Sequence, residues 1–235
     1  MPDIKEPRYD RLRKLAEELH IPIPEAFLTL EVFDKDGRLI QKHRQRSHSW
    51  TRNAYNALFS NLASVNMSDS TFGAGKLSGK DTGGTVRYGA EGAIIAGAVD
   101  WNYQVTSYGF RAAAANDDHG ILVGSGVNAE SFEDYALQTL IVEGTGADQL
   151  NYATSEIPDI SYVDTTETHN LVRYCNNNSG GNVSVNEVAL VCSYDTFGSS
   201  YVKILMSRDK LGATITVPDT GQLKVTYTIQ LTYPA

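Results

Sequence analysis

The stretch Ile121-Leu122-Val123-Gly124-Ser125-Gly126-Val127-Asn128-Ala129 has the spacing G-x-G-x-x-A behind a short apolar run, and Glu143 follows 19 residues after Gly124. In a dinucleotide-binding enzyme such glycines let backbone amides approach a pyrophosphate, while the acid holds a ribose hydroxyl. That unit also needs a full helix after the glycines and further βα units. Here only about ten residues are free for a helix, and the rest of the chain reads antiparallel. Gly73-Ala74-Gly75-Lys76 hints at a phosphate loop, but Leu77 stands where Ser or Thr is needed and Ser70 where the first glycine belongs. Asp34-x-Asp36-Gly37 opens like a calcium loop, yet its twelfth position is Gln45, so a hairpin turn is expected instead. Asp117-Asp118-His119 and His169 are titratable but lack the spacing of metal ligands, and they read as solvated loop residues. No G-x-S-x-G elbow occurs. The expectation is therefore a non-enzymatic protein with no catalytic residue, no cofactor and no metal.

The elements that would carry these residues are mostly strands. Phe27 to Phe33 reads as a strand, Asp34-Lys35-Asp36-Gly37 as its turn, and Arg38 to Arg46 as the return strand. From Leu223 to Tyr233 apolar and polar residues alternate, the pattern of a strand with one wet face. Glu167–Tyr174, Val183–Cys192 and Tyr201–Ser207 are further strands, and Pro218-Asp219-Thr220-Gly221 is a turn. The fold class expected is mainly β: an antiparallel β-sandwich of jelly-roll type. Two helices accompany it. Residues 8–20 place Leu12, Leu15, Ala16 and Leu19 on one face, and Pro22 and Pro24 end that helix. Residues 50–63 form the second, with Ser49 as cap and Trp50, Ala54, Ala57, Leu58, Leu62 and Ala63 on its inner side. Residues 68–100, rich in Gly, Ser and Thr, read as a long exposed excursion. The domain division expected is a helical arm over 1–25 and one β domain over 26–235.

Composition narrows the function. The chain has 235 residues, 41% of them hydrophobic, and a formal net charge of −8, which argues against a general nucleic-acid coat. Residues 1–60 hold 11 basic and 9 acidic side chains, leaving 9 and 19 for the remainder, so a mildly basic end precedes an acidic body. No apolar run reaches the roughly 18 residues of a membrane helix. The amino terminus has no apolar core before its charges, so a soluble protein made in a cytoplasm is expected. Asn176 to Asn182 reads as a hairpin loop, which would set Cys175 and Cys192 about 20 Å apart as free thiols. In the basic run Lys42-His43-Arg44-Gln45-Arg46-Ser47-His48, the cations suit acidic groups on a neighbouring copy.

From His119 to Tyr233 the chain resembles structural proteins of tailed bacteriophages and prophages. The resemblance rests on Gly120–Gly126, Asp134–Leu137, Gly144–Tyr152, Asn177–Gly181 leading into Val185–Val188, Ser207-Arg208-Asp209, and Val217 to Ile229. Ser47-His48-Ser49-Trp50 with Asn53 and Asn56 is similar to the amino-terminal part of the same set. It implies a virion protein that assembles in many copies on the tail, neck or capsid surface, with other copies and other virion proteins as partners. Leu12, Leu15, Leu19, Arg44, Arg46 and Trp50 are the residues expected at such an interface. An alternative is a module that recognises host cell-surface glycans, stacking sugars on Tyr88, Tyr103, Tyr108 and Tyr162.

Overall fold

The computed structural model describes residues 6–63, 65–88, 109–196 and 200–233. Ile23–Phe33 (β1) turns back into Leu39–Ser47 (β2). The turn is the hairpin expected at Asp34: its Oδ1 accepts the Asp36 and Arg38 amides at 2.9 Å each, and Gly37 takes φ +75°. Gly120–Gly124 (β5), Asn151–Tyr152 (β6), Asp159–Val163 (β7) and Thr166–Asn176 (β8) follow a two-stranded clip, Gly79–Lys80 (β3) with Val86–Arg87 (β4). Val183–Thr196 (β9), Ser200–Val217 (β10) and Gln222–Thr232 (β11) complete the strands. One sheet runs β2-β1-β11-β8-β6, with β7 also on β8; the other runs β10-β9-β5. Among the described residues every pairing between these strands is antiparallel. The mainly β, antiparallel class with two helices is as the sequence predicts.

Alternation sets the core. Leu28, Leu30, Val32, Leu223, Val225 and Tyr227 point inward from one sheet and meet Ile121, Val123, Val188, Leu190, Leu205 and Ile215 from the other. Their partners in the alternation face outward, where Thr228 bonds Asn170 and Gln230 bonds Thr168 across the ladder.

The carboxy-terminal strands form one long ribbon folded across its middle. β9 pairs β10 as far as Val183 opposite Val217, and β8 pairs β11 from Asn176 opposite Gln222, so the two halves lie in opposite sheets. Residues 177–182 are therefore a corner between sheets, and the hairpin expected there does not form. Asn177 fixes the corner: its amide donates to Gly221 O at 2.8 Å, and its Nδ2 to Gly181 O and Val217 O at 2.7 and 2.8 Å. Cys175 consequently lies opposite Leu223 and Cys192 opposite Ile204. Both are free buried thiols, and burial pushes each up to about 12. The β1–β2 hairpin, by contrast, stays within one sheet.

The helices are Pro7–Leu19 (α1) and Arg52–Ala63 (α2). α1 starts on a proline, whose missing N–H is no loss there, and ends at His20 in the left-handed region. α2 keeps Ala54 and Ala57 inside as expected but turns its leucines out. It buries Asn53, Ala54, Ala57 and Ser60, whereas Leu58 and Leu62 are exposed. The reason is polar. Asn53 exchanges two hydrogen bonds with the Lys80 backbone, and Asn56 donates to Lys76 O and Ser78 O. Ser49 does not cap the helix; Thr51 precedes it and donates its hydroxyl to Leu205 O at 2.8 Å. Trp50 lies before the helix, bridged to Ser207. Of the stretch expected as an exposed excursion, residues 68–77 are exposed or half-buried, whereas Ser78, Gly79 and Asp81 are buried, with Gly79 against Ile204 and Met67. Residues 89–100 lie outside the described residues.

Arg173 on β8 occupies an inward position, is fully buried, and has its pKa lowered by that burial. Its side chain makes five hydrogen bonds, all to main-chain carbonyls: Nε to Ala153, Nη1 to His119 and Ile121, Nη2 to Ala113 and Asn116. The Tyr152 ring stacks on it at 4.7 Å. An ammonium has only three donors and no planar fork. Arg173→Lys should therefore lower stability by roughly 2–4 kcal/mol, because at least two buried carbonyls lose their partner; the urea midpoint with unchanged slope measures it.

Candidate functional site

The glycines of the G-x-G-x-x-A stretch do serve close backbone approach to an anion, but the anion belongs to the protein. Glu187, fully buried on β9, accepts the Gly126 and Thr139 amides at Oε1 (3.1 and 2.9 Å) and the Gln138 amide at Oε2 (3.2 Å). A Cβ on Gly124 would stand 2.5 Å from Glu187 Oε1, and one on Gly126 2.5 Å from the same atom. No helix follows these glycines; the chain wraps back on Glu187 instead. Glu143 accepts the Tyr152 amide and the Asn151 side chain, so the carboxylate expected at a ribose is used within the loop. The dinucleotide unit is thus not built.

Glu187 is half of a buried ion pair. Arg208 on β10 donates Nε to Glu187 Oε2 at 2.6 Å and Nη1 to Asp134 at 2.8 Å, and it also reaches the carbonyls of Asn128 and Ala129. One residue on, Asp209 is fully buried and accepts the Ser47 and Ser207 hydroxyls at 2.8 and 2.9 Å and the His48 amide at 3.2 Å. Ser47 Oγ also lies 2.5 Å from the Tyr227 hydroxyl. Serine, histidine and aspartate therefore meet here, but the His48 ring turns to the Arg46 carbonyl, and the serine hydroxyls bond to Asp209 directly. Ser47–Trp50 and Ser207–Asp209 converge on this seam.

The Asp117–His119 and His169 groups separate likewise. His119 is buried rather than solvated, with Nδ1 at 2.5 Å from Asp118 and Nε2 at 2.9 Å from the Arg111 carbonyl. His169 pairs with Glu167 at 2.6 Å, which together with Tyr233 holds the Glu167 carboxyl below its usual range. Among the described residues no three His, Cys, Asp or Glu side chains are grouped to hold a metal. No helix there is long and apolar enough to cross a membrane.

Of the expected interface residues, Leu12, Leu15 and Leu19 are exposed on α1. Arg46 is not available to a neighbour. It is buried, donates Nε to Glu6 at 2.6 Å and Nη1 to Glu25 at 2.5 Å, and stacks on Tyr9 and Phe27 at 3.7 and 4.7 Å. Arg13 adds a pair to Glu25 at 3.1 Å. The helix thus docks on its own sheet through Glu6, Tyr9 and Arg13, and its leucines stay outside. Arg44 lies over the Phe27 ring at 4.9 Å, and Lys42 pairs with Glu31 at 2.6 Å. Lys42 and Arg46 thus meet carboxylates within the chain. Trp50 is half-buried and packs against both core clusters. Tyr88 and Tyr162 are exposed, with Tyr233 beside Tyr162 at 6.4 Å; Tyr103 and Tyr108 lie outside the described residues.

Arg173, Glu187 and Asp209 escape periodicity reasoning, which assigns charge to solvent. The available signal was Arg208-Asp209-Lys210, three adjacent charges between Met206 and Leu211, of which alternation can send only some outward; Lys210 is exposed and the other two are buried.

No family model matches the chain, and no curated protein or solved structure matches it either.

Two predictions follow from this geometry. Burial raises the Asp209 pKa against the lowering effect of Ser47, Ser207 and the His48 amide. The fold then favours the protonated form, so this group's contribution is fully present below an unfolded pKa of about 3.9 and is lost as pH rises through the raised value. Asp209→Asn should gain stability relative to wild type as pH rises above about 4, read as the difference between two urea-midpoint profiles. Arg46→Ala should free α1 while leaving the sandwich folded. Loss of the charged hydrogen bonds, about 1.5–3 kcal/mol each, should raise tryptic cleavage within residues 8–14 at least tenfold.

Proposed function

We propose that the protein is a non-enzymatic structural subunit of a bacteriophage particle that assembles in multiple copies on the tail, neck or capsid surface. The observation that carries this reading is the placement of apolar residues on both helices. α1 is clamped by Arg46 with Leu12, Leu15 and Leu19 facing out, and α2 turns Leu58, Phe59 and Leu62 out. Large side chains held outward on ordered helices gain burial when copies or other subunits meet. The buried charges serve the same end, because they tie long polar loops to a rigid sandwich that can present such surfaces. The resemblance of the sandwich stretches to phage structural proteins supplies the class of particle.

A host-surface glycan module is the second reading, favoured by exposed Tyr162 beside Tyr233 at the open end of β7. Mass spectrometry of purified particles from the producing host tests the first reading. Many copies of the chain per particle are expected; its absence from particles overturns the virion role. Retention on a glycan array that is lost in Tyr162→Ala would favour the second.

A further inference from the structure

α2 is an amphipathic helix mounted with its apolar side outward. The sequence Arg52–Ala63 holds no acid, and its single cation, Arg52, is tied to Glu133 at 3.0 and 2.9 Å through Nε. Tyr55, Leu58, Phe59 and Leu62 fall at i, i+3, i+4 and i+7, and are 54%, 51%, 58% and 79% exposed. Phe132 extends the stripe, its ring 5.7 Å from that of Tyr55, and Val65 borders it beyond the helix end. We propose that this stripe is a two-fold interface: α2 of one copy packs antiparallel on α2 of a second copy of the same chain.

Three observations select a second copy. The face is electrically neutral, whereas the chain carries a net charge of −8, so two copies repel over most of their surface and meet without repulsion here. The six side chains expose on the order of 600 Å² of apolar surface, near the roughly 800 Å² per partner of a standard interface and at the limit of what monomers leave open. The stripe is also straight and self-complementary, since Leu58 and Phe59 lie near the middle of a 12-residue helix and Tyr55 and Leu62 flank them. α1 offers less: three leucines among Arg11, Arg13, Lys14, Glu17 and Glu18. The pairing deepens the assembly reading and rests on it for the identity of the occupant.

The test is the solution mass of the full chain across a concentration series, for wild type and for Leu58→Asp/Leu62→Asp. The expected result is a wild-type dimer, a monomeric variant, and a wild-type thermal midpoint that rises with concentration while the variant's does not, the two converging at the dilute end because both leucines are exposed in one copy. In addition, Leu58→Cys should cross-link to itself with a short bismaleimide while Leu15→Cys does not; Cys175 and Cys192 are buried and silent. A wild-type monomer at every concentration overturns the pairing, as does a dimer that the double variant leaves intact. A variant midpoint that stays well below the wild type's at dilutions where both are monomers overturns it too, since the stripe would then be covered by its own chain. Cross-linking between Leu15→Cys and Leu58→Cys copies replaces the two-fold contact with a head-to-tail one. A chain found in particles but monomeric in solution overturns only the pairing; a dimer absent from particles overturns only the virion role.

Discussion

A guanidinium sealed between two sheets, bound only to main-chain carbonyls, sets the terms for the rest of this fold. Placing the Arg173 charge there carries a desolvation penalty of several kcal/mol, which five charge-assisted hydrogen bonds offset. The carbonyls it binds belong to residues 113–121 and Ala153. Most of these have no ladder partner, and an irregular segment leaves such groups unsatisfied when buried. No other side chain has five donors in a fixed plane. Arg173 therefore allows the chain to enter β5 through the interior, and β5 in turn gives β9 its second neighbour.

Glu187 and Arg208 repeat that logic with both signs. The carboxylate gathers three amides of residues 126–139 and the guanidinium gathers two carbonyls of the same loop, while the two neutralise each other at 2.6 Å. Buried pairs of this kind are weak evidence for stability, because a well-packed apolar pair serves as well. Their contribution here is specificity: they fix one path for a loop that hydrophobic packing alone leaves undetermined. Gly124 and Gly126 belong to the same device, since any side chain at either would displace Glu187.

Where the physics was local, the sequence could be read. Alternation from Leu223 to Tyr233 marked β11, and Asp34 to Gly37 marked a turn whose side-chain acceptor and glycine are both used. Where the decision lay between distant segments, it could not. The loop Asn176–Asn182 has every local mark of a hairpin, yet Asn177 bonds to Val217 and Gly221, 40 and more residues away, and makes it a corner. The leucines of α2 were expected inside because large apolar groups usually are, but the wall beneath the helix offers the backbone of residues 76–80, which only Asn53 and Asn56 can satisfy. Arg46 in a basic run looked like a surface cation; two carboxylates and two rings from elsewhere in the chain enclose it.

The orientation of α2 is the point at which fold and proposed assembly meet. An unsatisfied buried backbone group costs about 1–3 kcal/mol, and Asn53 and Asn56 together engage three part-buried ones, besides the exposed Lys76 carbonyl. Turning the helix over would bury Leu58, Phe59 and Leu62 at about 1.5–3 kcal/mol each, but would strand those backbone groups and drive bulky side chains into space shaped for Ala54 and Ala57. Within one copy the two arrangements are therefore close in free energy, and polar satisfaction decides. A second copy removes the conflict, because it covers the leucines without disturbing the asparagines. On that reading the exposed stripe is the cost that a single subunit carries so that the assembled form can satisfy both requirements.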